Sequence, residues 1–284
     1  MTYTTTSQGN KLVTSLVGQP STNCPLSNTT RTYDTNDFMS QTIDAESRVT
    51  TYVNDVIGQP TSITRGFGTA SAATSTTTWN STWRVPAQVI DPGLTTDYAW
   101  NATGQLTSVT QTDTTSHTIP YPTNGQTRIW TYTYGTNGLV SSIDGPLAGT
   151  ADTTSYTYDA LGFLQTVTNE VGHVTTVDTV NTRGQPTLIT DPNGVKTALT
   201  YDGRGRLLTV TADSTATAAL TTIVYDGTGQ ITKITQPNGS WQSFTYDGAR
   251  RLTTVTNNVG ETTNYVRDPM GGATSITRLK ADTT

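Results

Sequence analysis

Two short stretches set an Asp against a Pro inside a Gly-bearing turn: Asp91-Pro92-Gly93-Leu94 and Asp268-Pro269-Met270-Gly271-Gly272. Carboxylates catalyse hydrolysis as a pair, when their surroundings push the two pKa values apart. Neighbouring turns could bring two Asp together, but nothing in the spacing singles out a pair. His117 and His173 are 56 residues apart, and Cys24 is the only cysteine. A Cys–His dyad, a zinc site and an intrachain disulfide therefore lack support. His173 follows a turn, where Val195, Ser240 and Glu261 stand in comparable stretches, and reads as a surface residue. The chain has no Gly-x-Ser-x-Gly elbow and no phosphate loop. Its Gly203-Arg204-Gly205-Arg206 belongs to a turn that recurs. The sequence reads as non-enzymatic, with no catalytic residue, metal or cofactor.

Recognition by aromatic rings is the remaining chemistry. Trp79, Trp83, Trp100, Trp130 and Trp241, with thirteen Tyr, could stack on sugars. Tyr158, Tyr201, Tyr225 and Tyr246 recur at one phase, which suits cross-strand laddering in a sheet. Trp79 and Trp83 flank the low-complexity run at 66–78 and are the candidate ligand-binding residues, with glycans as partners.

The elements that carry these residues repeat. With Asp202 of "TYDGRGRLLTVT" as anchor, equivalents fall at Asp34, Asp55, Asn80, Asn101, Gly135, Asp159, Asn181, Asp226, Asp247 and Asp268. The intervals are 21, 25, 21, 34, 24, 22, 21, 24, 21 and 21 residues. A period near 21 sustained over eleven units is an architecture. The clearest repeats span 156–278, and looser ones cover 31–155, with insertions near 66–78 and 111–130. The residues that define the repeat are Tyr158, Asp159 and Gly162; Tyr201, Asp202 and Gly205; Tyr225, Asp226 and Gly229; Tyr246 and Asp247; and Asp268. Arg204, Arg206, Arg250 and Arg251 fall beside these acidic turns and read as a solvated face.

Each unit holds two turn signals. One is the anchor, Asp-x-x-Gly, where the Asp accepts backbone N–H bonds and the Gly takes positive φ. The other lies about ten residues on, as in "DPNG" at 191–194 and "NNVG" at 257–260, and suits a type I turn closing on a left-handed residue. The runs between are about six residues long and lack a 3.6-residue period. The expected fold is all-β: a long antiparallel meander of about 22 strands, two per unit, coiling into a curved or spiralling sheet. The whole of 1–284 reads as one repeat array. Leu207 and Val210 are three apart, which on an ideal strand puts them on opposite faces. Either both faces are partly apolar or a bulge intervenes.

Composition agrees. Hydrophobic residues make up 32% of the 284, and 68 are Thr, too little grease for two thick cores. The net charge is −5 with basic residues scattered singly apart from Arg250-Arg251, so no nucleic-acid footprint is visible. The N-terminus lacks the pattern of a signal peptide, and no apolar run approaches the roughly 20 residues of a membrane span.

"YTYDALGFLQTVT", "LTYDGRGRLLTVT", "IVYDGTGQITKIT" and "FTYDGARRLTTVT" resemble the YD repeats of the RHS family. The resemblance is specific over 156–278 and extends back to about residue 31, while Val180-Asn181, Trp100-Asn101 and Tyr134-Gly135 depart from Tyr-Asp. In bacterial RHS proteins and the B and C components of Tc toxins, such repeats build a hollow β-shell around a C-terminal toxic domain; in teneurins a similar shell supports adhesion. The resemblance implies a structural wall segment of a shell that encapsulates or displays a toxin or effector. Its partners would be the remainder of a larger RHS protein or its toxin cargo. It further implies a bacterial protein, secreted or at the cell surface through a dedicated secretion system. The alternative is a surface adhesin or carbohydrate-binding ribbon. Family shells often end in a self-cleaving aspartyl protease region with Asp-Pro-x-Gly elements, which "DPMGG" and "DPGL" superficially match. The chain opens on a half-unit and stops inside a unit, so a segment of a longer protein is expected, with sheet edges open to self-association.

Overall fold

The computed structural model describes residues 1–6, 8–18, 27–120, 122–213 and 218–281; Cys24 lies outside them. They form 24 strands and no helix. The chain divides into two compact units, meeting in sequence at Thr153 and Thr154.

The first unit begins with β1 (Thr2–Thr5), β2 (Lys11–Val17), β3 (Asn28–Tyr33) and β4 (Met39–Ile43). It continues through β5 (Val49–Asn54), β6 (Pro60–Arg65), β7 (Ala73–Trp79) and β8 (Pro86–Asp91). It ends with β9 (Leu94–Trp100), β10 (Leu106–Asp113), β11 (Thr127–Tyr134) and β12 (Val140–Asp144). Every strand pairs antiparallel with the next in sequence.

The second unit repeats the scheme. It runs through β13 (Thr154–Tyr158), β14 (Leu164–Thr168), β15 (Val174–Val180) and β16 (Pro186–Thr190). There follow β17 (Lys196–Tyr201), β18 (Leu207–Asp213), β19 (Ala219–Tyr225) and β20 (Ile231–Thr235). The last four are β21 (Trp241–Tyr246), β22 (Leu252–Asn257), β23 (Thr262–Arg267) and β24 (Ala273–Leu279). Again each strand pairs antiparallel with its successor.

The eleven sequence units account for 22 strands, and the opening stretch, expected to be a half-unit, supplies a whole hairpin, β1 and β2. The stretch at 66–78 supplies β7 in register with β6, leaving a loop at 66–72. The stretch at 111–130 lengthens β10 and β11 and leaves a long connection between them.

A bulge sits in every repeat hairpin. Thr200 pairs with Thr209 but Tyr201 pairs with Leu207, so Leu208 is the extra residue. Likewise Thr245 pairs with Thr254 and Tyr246 with Leu252, leaving Thr253. The extra residue restores phase, placing Leu207 and Val210 on one face with Leu199 and Tyr201. Of the two alternatives left by the spacing, the bulge holds. The apolar cross-strand pairs follow that face: Leu199–Val210, Ile223–Ile234, Phe244–Val255 and Tyr265–Ile276 in the second unit. Tyr52–Ile63, Tyr98–Val109 and Tyr132–Ile143 do so in the first. The opposite face carries hydroxyl pairs such as Thr157–Thr166, Thr200–Thr209 and Thr245–Thr254. No apolar side chain among the described residues is fully buried. The strands are held by ladder hydrogen bonds and by half-buried neighbours along the sheet, without an enclosed core.

Candidate functional site

The repeated feature with the densest polar chemistry is the Tyr-Asp turn with its bulge. Asp202 Oδ1 accepts the N–H groups of Arg204 (2.8 Å) and Arg206 (2.9 Å). The Asp202 N–H donates to the Arg206 carbonyl, and the Gly205 N–H to the Asp202 carbonyl, both at 2.9 Å. Asp159, Asp226 and Asp247 bind their own turns in the same way. Gly162, Gly205 and Gly229 take φ of 85°, 82° and 99°, where an L side chain is strained. The second turns are built alike, with Gly194 and Gly260 at 82° and 85° and Asp191 and Asn257 accepting the turn N–H groups.

Backbone N–H donation is the leading cause that holds the Asp202, Asp226 and Asp247 carboxylates below the ordinary value; the donors are Arg206, Gln230 and Arg251. The Arg206 and Arg251 Nε groups each donate to Oδ2 of the turn Asp at 2.7 Å. Both guanidiniums are only about 26% and 31% exposed, and that of Arg206 lies 4.4 Å from the Tyr225 ring centre. These two arginines are therefore fitted parts of the turn, not a solvated face.

Three contacts tie one repeat to the next. First, the residue at the Tyr place donates to a carbonyl at the preceding bulge: Trp79 to Pro60 (2.9 Å), Trp100 to Pro86 (2.8 Å), Tyr134 to Leu106 (2.7 Å) and Tyr246 to Ile231 (2.8 Å). Second, the residue after the positive-φ turn position, which is Gly in most turns and Arg250 before Arg251, reaches the following turn. Gln105 donates to the Gly138 carbonyl, Gln185 to Gly205 and Gln230 to Arg250, each at 2.8 Å, and Arg251 to Asp268 at 3.0 Å. Third, Phe38, Trp83 and Phe163 lie against Gly58, Gly104 and Gly184, where an added Cβ would strike each ring.

The bulge residue itself was not singled out by the sequence. It is Ser or Thr in eight of eleven hairpins: Ser40, Thr61, Thr107, Ser141, Thr187, Thr232, Thr253 and Thr274. Each hydroxyl hydrogen-bonds the residue two before the anchor, for example Thr187 with Thr179 (2.7 Å) and Thr253 with Thr245 (2.9 Å). The signal was a hydroxyl six residues after nearly every anchor, hidden by the abundance of Thr.

The other candidates are placed as follows. Trp79 is half-buried under its bond to Pro60; Trp83 is 41% exposed and lies against Gly104. Asp268 is 8% exposed, accepts the Gly272 N–H at 2.8 Å through Oδ1, and its Oδ2 has no hydrogen-bond partner among the described residues. Asp91 accepts the Ser75 hydroxyl. His117 and His173 are exposed. Among the described residues no group of three or more His, Cys, Asp or Glu is arranged to hold a metal ion, and no helix is long and apolar enough to cross a membrane.

Residues 181–217 and 225–263 match the family model of the RHS Repeat. The crystal structure of TcdB2-TccC3 without its hypervariable C-terminal region shares the fold at 17% identity and a TM-score of 0.70, over 95% of this chain and 15% of that one. The crystal structure of TcdB2-TccC3-Cdc42 does so at 16% identity and a TM-score of 0.71, over 96% of this chain and 15% of that one. The chain thus spans about 15% of the length of the solved chains it resembles. No curated protein matches it in sequence. Two stretches of the chain thus match as RHS repeats, and the same bulged hairpin recurs through both units.

Proposed function

We propose that this chain is a non-catalytic stretch of the wall of an RHS shell that encloses or displays a toxin or effector domain. The observation that carries this reading is the sheet itself: bulged hairpins joined only to sequence neighbours, with no fully buried apolar side chain among the described residues. Such a sheet gains length unit by unit, because each added hairpin brings the same interface. It suits a wall better than a pocketed enzyme. The remainder of a larger RHS protein and its cargo are the partners, in a bacterial protein sent outward by a dedicated secretion system. Immunoblotting of source cells with an antibody to this chain tests it. A species several times the 30.3 kDa of the chain is expected, carrying a further domain that resists protease until the shell is opened. A band near 30.3 kDa would overturn the reading.

A second reading, a surface adhesin or carbohydrate-binding ribbon, draws on the 41% exposure of Trp83 beside the 66–78 stretch. It expects glycan binding that is lost in Trp83→Ala. Unchanged binding in that variant removes it.

A further inference from the structure

The long connection between β10 and β11 does more than lengthen the chain. Its ends are pinned: the Asp113 N–H donates to the Gln126 carbonyl (2.9 Å), and the Gly125 N–H to the Asp113 carbonyl (2.8 Å). Its flank is tied to the neighbouring hairpin, because the Thr114 N–H donates to the Gly93 carbonyl at 3.0 Å. Asn124 Nδ2 bonds the Thr115 carbonyl at 2.9 Å, closing the loop on itself. Gly93 is required there, since its φ is 83° and a Cβ would stand 2.8 Å from Thr115 Cγ2. The result is a cleft of about 250 Å³, lined by Leu94, Gln111, Asp113, Thr123, Gln126 and Arg128 among others.

The lining is chemically mixed. In the ladder, Gln111 stands between Thr96 and Arg128, and Asp113 opposite Leu94, so Gln111, Asp113 and Arg128 project from one face. Trp130, two residues beyond Arg128, follows on that face and pairs with Val109. Arg206 and Arg251 elsewhere are held by their own turn carboxylates, whereas Arg128 has no ion pair among the described residues. Nor do the side chains of Gln111 and Gln126 hydrogen-bond any other described residue. Two amides, a guanidinium and the carboxylate of Asp113, whose Oδ1 already accepts the Thr115 N–H at 2.7 Å, thus present donors and acceptors in a concave site. Vicinal hydroxyls satisfy such groups in pairs, the carboxylate and amide oxygens accepting and the guanidinium and amide nitrogens donating.

We infer that this cleft is a binding site for an uncharged hexopyranose, either free or as the end of a glycan. The volume admits about one sugar ring, a small site by the usual measure of ligand pockets. It lies apart from Trp83, and it stands or falls independently of the wall reading.

The test is a titration of the whole chain with methyl β-D-galactoside, methyl β-D-glucoside and N-acetylglucosamine, each to about 50 mM, on the scale of weak small-ligand affinity. Side-chain amide signals of Gln111 and Gln126 and the Nε signal of Arg128 are followed by NMR. A saturable shift with at least one sugar is expected. Asp113→Asn and Arg128→Ala should each weaken it by about tenfold. Trp83→Ala should leave it unchanged. Arg128 is exposed, so its variant keeps the fold even where Asp113→Asn loosens the loop. Shifts that stay linear for all three sugars would sink the proposal, as would saturation unaltered in both cleft variants.

Discussion

The turn Asp residues show how a side chain becomes structural. Asp226 Oδ1 takes up three backbone N–H groups at a tight corner, from Thr228, Gly229 and Gln230, of which Gly229 also reaches the Asp226 carbonyl at 3.2 Å. Its carboxylate, like those of Asp202 and Asp247, is held below 3.8 in the folded chain. A depressed native pKa contributes stability in full above the unfolded value and loses it as pH falls through the native one. Thermal melts should therefore be flat from neutral pH down to about 5 and fall steeply below about 4. Asn at 101 and 181 makes the same turn uncharged, so Asp226→Asn should stay folded at pH 7 and flatten the acid limb. An unchanged limb would show that these carboxylates do not govern acid stability. Glycine offers a second test. Gly184 and Gly194 share φ near 80° (78° and 82°), but a Cβ at 184 would strike Phe163 while one at 194 meets nothing within 4 Å. Gly194→Ala should cost about 1–2 kcal/mol for the strained backbone alone. Gly184→Ala should cost more, and denaturant midpoints measure the difference.

At the scale of the strand pair, the bulge decides which face each side chain meets. Inserting one Ala after Thr253 would slip β22 by one residue, sending Val255 to the hydroxyl face and Thr254 to the apolar one. The expected outcome is loss of the β circular-dichroism signal or insolubility; a soluble, native-like spectrum would mean that the register tolerates the slip. Bonds between repeats are the other device at this scale. Gln230→Ala removes the 2.8 Å bond to the Arg250 carbonyl, and should lower stability by about 0.5–1.5 kcal/mol in chemical denaturation.

At the scale of the molecule, a sheet without an enclosed core depends on continuity, and its outer strands are its weak places. Among the described residues β24 pairs with β23 alone, and its Ile276 and Leu279 are 58% and 53% exposed. Unpaired ladder groups beside exposed apolar side chains invite a further strand. Light scattering of the isolated chain should show association that grows with concentration, and Ile276→Lys with Leu279→Lys should reduce it. A monodisperse monomer at high concentration would refute this.

The amino-acid sequence by itself determined the period, the paired turns and the all-β character. Turn chemistry is local: Asp202 and Gly205 act within four residues, and strand periodicity is read over six. The sequence also carried the resemblance to RHS repeats, through four similar Tyr-Asp phrases. The tertiary structure alone decided what each phrase does across the sheet. That Leu208 is an extra residue, that the Thr253 hydroxyl closes on Thr245, and that Gln185 spans to the next turn depend on which residue stands opposite. Opposition between strands is fixed by register, not by spacing along the chain. The cleft at Gln111, Asp113 and Arg128 was hidden for the same reason. It needs the long connection folded against Gly93, a contact some twenty residues away in sequence, and no local pattern in "QTDTTSHTIPYPTNGQTR" announces it.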